Sequence, residues 1–252
     1  MHGWKSMNKK TVLVTGSSIG LGSEIIRLFA KNNYNCVINY YNHEKEANEL
    51  KKEIETKYNI KAITIKCDIS NDNELNNMYD KVIQEFGSID VLVNNAAIAI
   101  DTTFDMKTKK NFMRIFEVNV YGLFNTSRLF GDLMYKNKTG KIINISSTNG
   151  IDTYYEYSLD YDASKASVIN LTHNLANHYA PFVNVNCVCP GWINTPMNKN
   201  LDKDFIHEEE SKILLGRFAE PSEIASLVYF LSTKEADYIN DSVIRIDGGK
   251  KC

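Results

Sequence analysis

Short runs of apolar and β-branched residues alternate with longer amphipathic stretches along the whole chain. Seven of these runs predict strands, at 11–14, 36–40, 62–67, 90–94, 141–145, 184–188 and 242–246. Six stretches predict helices, at about 20–32, 44–57, 73–86, 107–135, 158–179 and 221–232. The runs are apolar on both faces, which indicates strands that are covered on both sides of a sheet.

The predicted helices are long enough to cross back over a parallel sheet with right-handed connections. The pattern therefore predicts an α/β fold with one doubly wound, seven-stranded parallel sheet flanked by helices. No Pro-, Gly- or Ser-rich linker, repeat or low-complexity segment divides the chain, so we expect residues 1–252 to form a single domain. The least patterned region is 192–216.

Composition and charge narrow the classes of partner. The 252 residues are 43% apolar and 24% charged, which is ordinary for a globular chain. A formal net charge of −2 gives no broad attraction for nucleic acid or anionic lipid, and we expect neither as a partner. The apolar runs are too short to span a membrane, and no apolar segment follows the basic residues of 1–10 to act as a signal peptide. We expect a cytoplasmic location.

The cysteine and histidine patterns give no metal site. Four cysteines lie in strand-like runs: Cys36, Cys67, Cys187 and Cys189. Because successive side chains of a strand alternate between faces, we expect Cys187-x-Cys189 to be a poor chelate and the thiols to be free and buried. His173 and His178 are five residues apart rather than four, so they do not share the helix face that a zinc pair needs. We expect no bound metal.

A glycine-rich segment follows the first predicted strand. Ligands of open parallel sheets bind at the carboxyl ends of the strands, and this strand leads into Thr15 and the glycines after it. Gly16 permits a tight turn, Gly20 lets the backbone approach a phosphate, and Gly22 allows close packing of the next helix, whose N-terminus then faces the anion. An ordinary Gly/Ser-rich turn is the alternative, but the position before a helix favours a pyrophosphate loop.

Two further strands end in polar or small residues. Asp68 follows the third strand, where its carboxylate either accepts the amino group of an adenine or caps a turn. The fourth strand ends in 94–97, Asn-Asn-Ala-Ala, which either accommodates a cofactor against the backbone or is turn chemistry.

Tyr161 and Lys165 are four residues apart, so they share one face of a predicted helix. The pair alone is weak evidence, since Tyr41 and Lys45 have the same spacing. A neighbouring ammonium and a positive nicotinamide would stabilise the phenolate, which makes Tyr161 a candidate acid for a carbonyl oxygen and a candidate base for a hydroxyl. Ser147, at the end of the fifth strand, could hydrogen-bond the same oxygen or merely cap a helix.

Together these motifs resemble the short-chain dehydrogenase/reductase family over nearly the whole chain. The family's T-G-x-x-x-G-x-G motif corresponds to 15–22 and its N-N-A-G motif to 94–97. Its other motifs fall on Asn119, Ser147, Tyr161 with Lys165, Pro190 with Gly191, Thr195, and Asp247-Gly248-Gly249. The one departure is Ala97 in place of a glycine, and we expect its methyl group to narrow the cofactor cleft slightly.

The resemblance implies a Rossmann-type domain with four catalytic residues. Tyr161 would be the acid/base, Lys165 would bind the nicotinamide ribose and lower the tyrosine pKa, Ser147 would orient the substrate oxygen, and Asn119 would hold a proton-relay water. Cofactor contacts are expected from Thr15, Gly16, Ser18, Ile19, Gly20, Gly22, Tyr41, Asp68, Ile69, Asn95, Ala96, Tyr161, Lys165, Pro190, Gly191, Ile193 and Thr195. The family also suggests a homotetramer, formed partly by pairing of helices 107–135 and 158–179.

The sequence favours NADP(H) and leaves NAD(H) open. Relatives that prefer NAD commonly end the second strand with an acidic residue, whereas 39–42 here reads Asn-Tyr-Tyr-Asn. Against NADP(H), Ile19 stands where many NADP-binding relatives carry Arg, and Tyr41 stands where others carry a basic residue.

The sequence specifies the substrate less well than it specifies the cofactor. In the family, 192–216 covers the substrate, and an apolar pocket or lid packing is expected from Trp192, Met197, Leu201 and Phe205, with Tyr154, Tyr155 and Tyr157 opposite. The chain resembles 3-oxoacyl-carrier-protein reductases and glucose 1-dehydrogenase-like members about equally. A basic surface for a carrier protein would come from Lys136, Lys138 and Lys141.

We therefore predict an NAD(P)-dependent oxidoreductase that transfers a hydride between the nicotinamide cofactor and a carbonyl or secondary alcohol. A 3-oxoacyl thioester is the first substrate hypothesis, and a sugar or polyol is the second. A different class of function, a dinucleotide-binding sensor or scaffold without catalysis, would be marked by a broken set of catalytic residues, whereas all four are present here.

Overall fold

The computed structural model describes residues 9–198 and 201–250. Seven strands form one parallel sheet: β1 Thr11–Val14, β2 Asn35–Tyr40, β3 Ala62–Lys66, β4 Val91–Asn94, β5 Lys141–Ile145, β6 Asn184–Pro190 and β7 Val243–Ile246. Their order across the sheet is β3-β2-β1-β4-β5-β6-β7, and every neighbouring pair is parallel. The predicted doubly wound sheet is confirmed.

Helices cover both faces of the sheet. They are α1 Gly20–Lys31, α2 Glu44–Tyr58, α3 Asp72–Phe86, α4 Lys109–Phe116, α5 Leu123–Lys136, α6 Leu159–Tyr179, α7 Lys203–Lys212 and α8 Pro221–Leu231. Local chemistry fixes several ends. Asn71 caps α3 by accepting the N–H groups of Asn73 and Glu74, and α8 begins with a reciprocal capping box between Glu220 and Glu223.

Two helical features differ from the sequence prediction. The helix predicted at 107–135 is divided by a π-helical segment, Glu117–Gly122, between α4 and α5. A π turn adds one residue to the backbone repeat without a side-chain signature, so periodicity does not reveal it. Helix α7 lies in the region that showed least pattern, because it buries none of its residues and so has no apolar stripe to detect.

The core lies on both sides of β1. Val12 and Val14 pack with Ile25 of α1 on one face, whereas Leu13 packs with Met78 of α3 on the other. All five side chains are fully buried. This two-sided burial explains why the strands are apolar throughout rather than alternating.

The strand order places a topological switch between β1 and β4. The chain runs from β1 outward through β2 to β3, and then returns to the other side of β1 at β4. The connections leave a crevice at the carboxyl ends of β1 and β4, where open α/β sheets bind their ligands.

The four cysteines of the strand-like runs are free and buried, as predicted. The argument from alternating faces was wrong for Cys187 and Cys189, because residues two apart on a strand share a face. Their Sγ atoms lie 3.7 Å apart. Over the described ranges, no group of three metal-binding side chains comes together. No helix in the same ranges has both the length and the apolar character needed to cross a membrane.

Candidate active site

A glycine turn joins β1 to α1 at the carboxyl edge of the sheet. Gly16 and Gly20 have φ angles of +60° and +59°, the left-handed region that favours glycine. A Cβ atom at Gly22 would lie 2.6 Å from the carbonyl oxygen of Gly16, so only glycine lets α1 pack this closely. The N-cap residue Ile19 makes no side-chain hydrogen bond. The first amides of α1 are therefore not capped by this side chain, and they suit an anion.

Side chains from two neighbouring strands hold this turn. The Asn95 amide donates to the carbonyl oxygens of Thr15 and Gly16 at 2.9 and 3.0 Å. The Thr15 hydroxyl accepts the main-chain N–H groups of Asn95 and Ala96, both at 3.0 Å. On the other side, Asn39 Oδ1 accepts the Gly16 N–H at 2.9 Å. Thr15 is thus a buried brace behind the turn rather than a cleft residue.

The turn borders a cleft of about 420 Å³ at the switch point. Every other residue predicted to contact the cofactor lines it: Gly16, Ser18, Ile19, Gly20, Gly22, Tyr41, Asp68, Ile69, Asn95, Ala96, Tyr161, Lys165, Pro190, Gly191, Ile193 and Thr195. The left-handed glycines and the amides of the α1 N-terminus suit a pyrophosphate, and the cleft reaches Tyr161 and Lys165 at its other end. These residues fit a nicotinamide dinucleotide.

Asp68 closes the far end of the cleft. Its Oδ1 accepts from the main-chain N–H and the hydroxyl of Ser70 at 3.0 and 2.6 Å, and its Oδ2 accepts from Arg114 at 2.6 Å. Burial acts to raise the pKa of Asp68, but the hydrogen bonds from Ser70 and Arg114 outweigh it and lower that pKa. The Asp68 carboxylate thus anchors the turn and also lines the cleft, and its role as an acceptor for adenine stays a prediction.

Tyr161, Lys165 and Ser147 meet where α6 crosses the end of β5. Lys165 Nζ lies 5.4 Å from the centroid of the Tyr161 ring and donates to the carbonyl oxygen of Ile145 at 2.9 Å. The Ser147 hydroxyl accepts the Asn149 N–H at 3.2 Å and so caps a short 3-10 turn. Ser147 also lines the cleft beside Tyr161, so it is both a cap and a site residue.

Asn119 is buried and lines neither the cleft nor the neighbouring pocket. Its Nδ2 donates to Ile98 O and to Ser164 Oγ, both at 3.0 Å, and its Oδ1 accepts the Ile98 N–H at 2.8 Å. The side chain thus ties the segment after β4 to α6. Of the four predicted catalytic residues, the structure brings three to the cleft wall and places Asn119 behind it.

A second pocket, of about 310 Å³, shares Ser147 and Tyr161 with the cofactor cleft. Tyr155 and Trp192 form an aromatic wall, with ring centroids 6.3 Å apart. Phe205 of α7 packs against both rings, and Trp192 Nε1 donates to Glu209 of the same helix at 2.9 Å.

Residues from 192–198 and 201–216 line one side of this pocket, among them Trp192, Leu201 and Ile213. Phe205 packs against the aromatic wall, and the role of this segment as a substrate cover stays a prediction. The predicted opposite wall of tyrosines is wrong: Tyr154 is 85% exposed, neither Tyr154 nor Tyr157 lines the pocket, and Tyr155 belongs to the same wall as Trp192. The side chain of Met197 lies outside the part of the chain that the structure describes.

Comparisons with known proteins agree with this geometry. A family model described as enoyl-(acyl carrier protein) reductase matches residues 16–251. A 3-oxoacyl-acyl-carrier-protein reductase FabG of Thermotoga maritima is 34% identical over 95% of this chain and 97% of its own length. The 3beta-hydroxysteroid dehydrogenase 1 of Eggerthella lenta is 33% identical over 98% and 95%. The crystal structure of acetoin dehydrogenase YohF from Salmonella typhimurium superposes with a TM-score of 0.87 at 32% identity, over 96% of both chains.

The chain belongs to the short-chain dehydrogenase/reductase family. It is an oxidoreductase that acts on CH–OH and carbonyl groups, and its family uses nicotinamide cofactors.

Burial dominates the electrostatics of this short-chain dehydrogenase/reductase site. Desolvation raises the pKa of Tyr161, Asp162 and Asp101 add to the effect, and a hydrogen bond with Ser147 opposes it. Desolvation also lowers the pKa of Lys165 to about 8. The chain alone therefore does not produce the lowered tyrosine pKa that the family role implies. Burial, with the two carboxylates, keeps the phenol protonated at neutral pH, so it can donate a proton.

The sequence did not single out several charged residues of the site. Asp101 and Arg245 line the second pocket, and Arg114 lines the cofactor cleft. Arg245 bridges Asp152 and Asp247, with N–O contacts of 2.8 and 2.5 Å. Asp101 follows β4 on the carboxyl side of the sheet, so the rule that led to Asp68 would also have found it.

The lysines proposed as a carrier-protein surface lie on the wrong side of the sheet. Lys136 ends α5 and Lys141 begins β5, so both lie at the amino edge of the sheet, opposite the site. Lys141 also pairs with Asp237 at 2.7 Å, and Lys138 lies over the Phe182 ring at 5.6 Å. These residues do not form a basic entrance to the pocket.

Proposed function

We propose that this enzyme reduces a carbonyl or oxidises the matching secondary alcohol at the boundary of the two clefts. The observation that carries the proposal is that Tyr161 and Ser147 line both the cofactor cleft and the second pocket. A substrate oxygen bound there would lie beside a proton donor and a second hydroxyl. The nicotinamide cofactor, when bound, supplies or accepts the hydride.

Each of the four residues has a role that its contacts support. Tyr161 exchanges the proton with the substrate oxygen, and Ser147 donates a hydrogen bond that orients it. Lys165, held by Ile145 O, faces the cleft as an ammonium at neutral pH and binds the cofactor ribose. The Asn119 side chain is fully engaged with Ile98 and Ser164, so a relay through this residue would use its main-chain carbonyl in the π-helical segment.

A 3-oxoacyl thioester is the substrate that we propose first. Support comes from the relatives named as 3-oxoacyl-acyl-carrier-protein reductases, at 33–34% identity over 95% of the chain, and from the aromatic wall of Tyr155 and Trp192. A sugar or polyol is the second candidate. The carboxylate of Asp101 and the amide of Asn149 in the same pocket favour it, because such groups hydrogen-bond hydroxyls.

We propose NADP(H) as the preferred cofactor. The end of β2 carries no acidic side chain to repel a 2′-phosphate, and Asn39 is occupied by the glycine turn and by the carbonyl oxygens of Ile65 and Cys67. Tyr41 stands at the rim of the cleft with half of its surface exposed. No basic residue of the turn favours NADP(H) more strongly, so NAD(H) is the alternative that the experiment includes.

We further propose a cytoplasmic homotetramer. Four large apolar side chains of the helical segment 109–136 are exposed in the single chain: Met113, Tyr121, Phe124 and Tyr135. Pairing of this segment between copies would cover them.

The test measures oxidation of NADPH and NADH with an acetoacetyl thioester, alongside a panel of sugars and polyols assayed in the oxidative direction. Tyr161→Phe should abolish turnover but keep cofactor affinity, and the exposed Tyr154→Phe is the matched control. Thioester turnover that depends on Tyr161 supports the first substrate, and turnover of polyols alone selects the second. Cofactor binding without turnover of any carbonyl or alcohol would contradict catalysis and indicate a sensor or scaffold.

A further inference from the structure

A buried ion pair lies directly beside Tyr161. Lys107 Nζ contacts Asp160 Oδ1 at 2.7 Å, and the two side chains are 9% and 0% exposed. Within 9–198 and 201–250, no other ion pair has both side chains below one tenth exposure. Asp160 Oδ1 also accepts the main-chain N–H of Tyr161 at 3.1 Å. The pair therefore acts on the first turn of α6, where the proposed acid is attached.

Lys107 belongs to the segment that follows β4 and borders the second pocket. Its Nζ donates to Ile100 O at 2.9 Å as well as to Asp160. The main-chain N–H of Thr102 in the same segment donates to Tyr157 O at 3.1 Å, just before α6. Ala99 and Asp101, which flank Ile100, line the pocket. The ion pair thus joins the pocket wall at 99–107 to the start of the catalytic helix.

The stability of the fold alone does not explain a buried ion pair between Lys107 and Asp160. Both charges lose their hydration, and an apolar pair of similar volume is often as stable. In addition, Asp160 Oδ2 and Thr102 Oγ1 are buried and find no hydrogen-bond partner among the described residues. Such unsatisfied polar atoms call for another role.

We propose that Lys107 and Asp160 are positioning residues, whose ion pair holds the pocket wall at 99–107 against the start of α6 and thereby sets where the Tyr161 hydroxyl meets the substrate. This inference rests on the proposed function of Tyr161. It differs from the four-residue catalytic set, because neither Lys107 nor Asp160 lines the cofactor cleft or the second pocket.

The decisive variant removes both charges together, Lys107→Met with Asp160→Asn. With no buried charge left unpaired, its midpoint of thermal unfolding should stay within a few degrees of the wild type. Its kcat should nevertheless fall by about tenfold to a hundredfold, because a displacement of about 1 Å at the reacting groups has that effect. The Kd for NADPH should change by less than about twofold, since the pair lies outside the cofactor cleft.

Two single variants serve as controls for the double variant. Lys107→Arg keeps the charge and should retain most of the activity, whereas the exposed Lys109→Met should leave kcat and KM unchanged. Hydrogen exchange supplies a readout that needs no substrate: amides of 99–107 and of the first turn of α6 should exchange about tenfold faster in the double variant.

The outcomes separate the two proposals. A double variant with wild-type kcat and wild-type exchange at 99–107 would show that the pair is only structural and overturn the inference. A wild-type protein that turns over no carbonyl or alcohol would instead contradict the proposed function, and the exchange rates would still decide whether the pair holds the pocket wall.

Discussion

Burial shifts the pKa values of Tyr161 and Lys165, which share one face of α6, in opposite directions. It raises the pKa of Tyr161 and lowers the pKa of Lys165 to about 8. Each shift favours the neutral form, as expected for groups taken out of water. The buried ammonium is consequently held in the folded state against a free-energy penalty, and this penalty can be measured.

We predict that Lys165→Met abolishes turnover but stabilises the protein at pH 7. A pKa lowered from 10.5 to about 8 corresponds to about 3 kcal/mol, of which about 1 is returned when the hydrogen bond to Ile145 O is lost, so the free energy of unfolding should rise by about 2 kcal/mol. Between pH 8 and 10.5 the unfolded wild type binds more protons than the folded form, so the wild type gains stability and the difference should shrink.

Urea unfolding at pH 7 and at pH 10 checks this prediction. A variant less stable than the wild type at both pH values would show that Lys165 is not desolvated in the folded state.

A second prediction concerns Asp101, whose negative charge raises the pKa of Tyr161. Oxidation of an alcohol needs the phenolate as base, so Asp101→Asn should move the rise of kcat/KM with pH to lower pH. Asp105→Asn, on the same segment but exposed and absent from both pockets, is the matched control. The measurement is the pH profile of oxidation of a 3-hydroxybutyryl thioester. An unchanged profile in Asp101→Asn would remove this carboxylate from the electrostatics of the site.

Sequence predicted the residues whose type is dictated by geometry and missed those whose role depends on the fold. Gly16 and Gly20 need left-handed backbone, and the spacing of Tyr161 and Lys165 sets a shared helix face. Nothing local indicates that Asn119 binds Ile98, since an Asn in a helical stretch is usually only polar surface. Its partner is 21 residues away along the chain and comes close only in the tertiary fold.

At the scale of elements, the strands and long helices could be predicted from the pattern of apolar residues, because these elements bury regular faces. The π-helical segment and α7 did not, because one is a backbone irregularity and the other buries no residue. The same contrast applies to helix packing. Close approach of two elements is marked by a glycine only where a Cβ would clash, and the sequence does not show which glycines those are.

Two glycine-to-alanine variants should distinguish an effect on helix packing from an effect on cofactor binding. A Cβ at Gly22 of α1 would lie 2.6 Å from Gly16 O, and one at Gly131 of α5 would lie 2.6 Å from the ring of Tyr179 on α6. Each change should lower the free energy of unfolding by about 1–3 kcal/mol. Only Gly22→Ala should also weaken NADPH binding, by about tenfold or more, because it displaces the phosphate turn. Fluorescence titration and thermal unfolding measure the two effects. Equal NADPH affinity in both variants would argue against a dinucleotide at this turn.

For the whole molecule, the cofactor cleft lies between the two halves of the sheet, so its ligand should stabilise the entire fold. At a hundred times its Kd, a ligand that binds only the folded state adds about 2.7 kcal/mol, which for a chain of this size raises Tm by about 5–10 °C. We predict that NADPH raises Tm more than NADH at equal concentration. A larger shift with NADH would reverse the proposed cofactor preference.

The loose packing of helix α7 affects how readily this enzyme can change during evolution. It buries no residue and is tied to the body through Trp192 and a ring of aromatic contacts. Substitutions on it therefore carry little penalty for folding. The glycine turn, in contrast, is held on both sides by hydrogen bonds with Asn39 and Asn95, so it tolerates few substitutions. Under the proposed function, the substrate range can change through substitutions in α7, while the glycine turn that would hold the cofactor stays fixed.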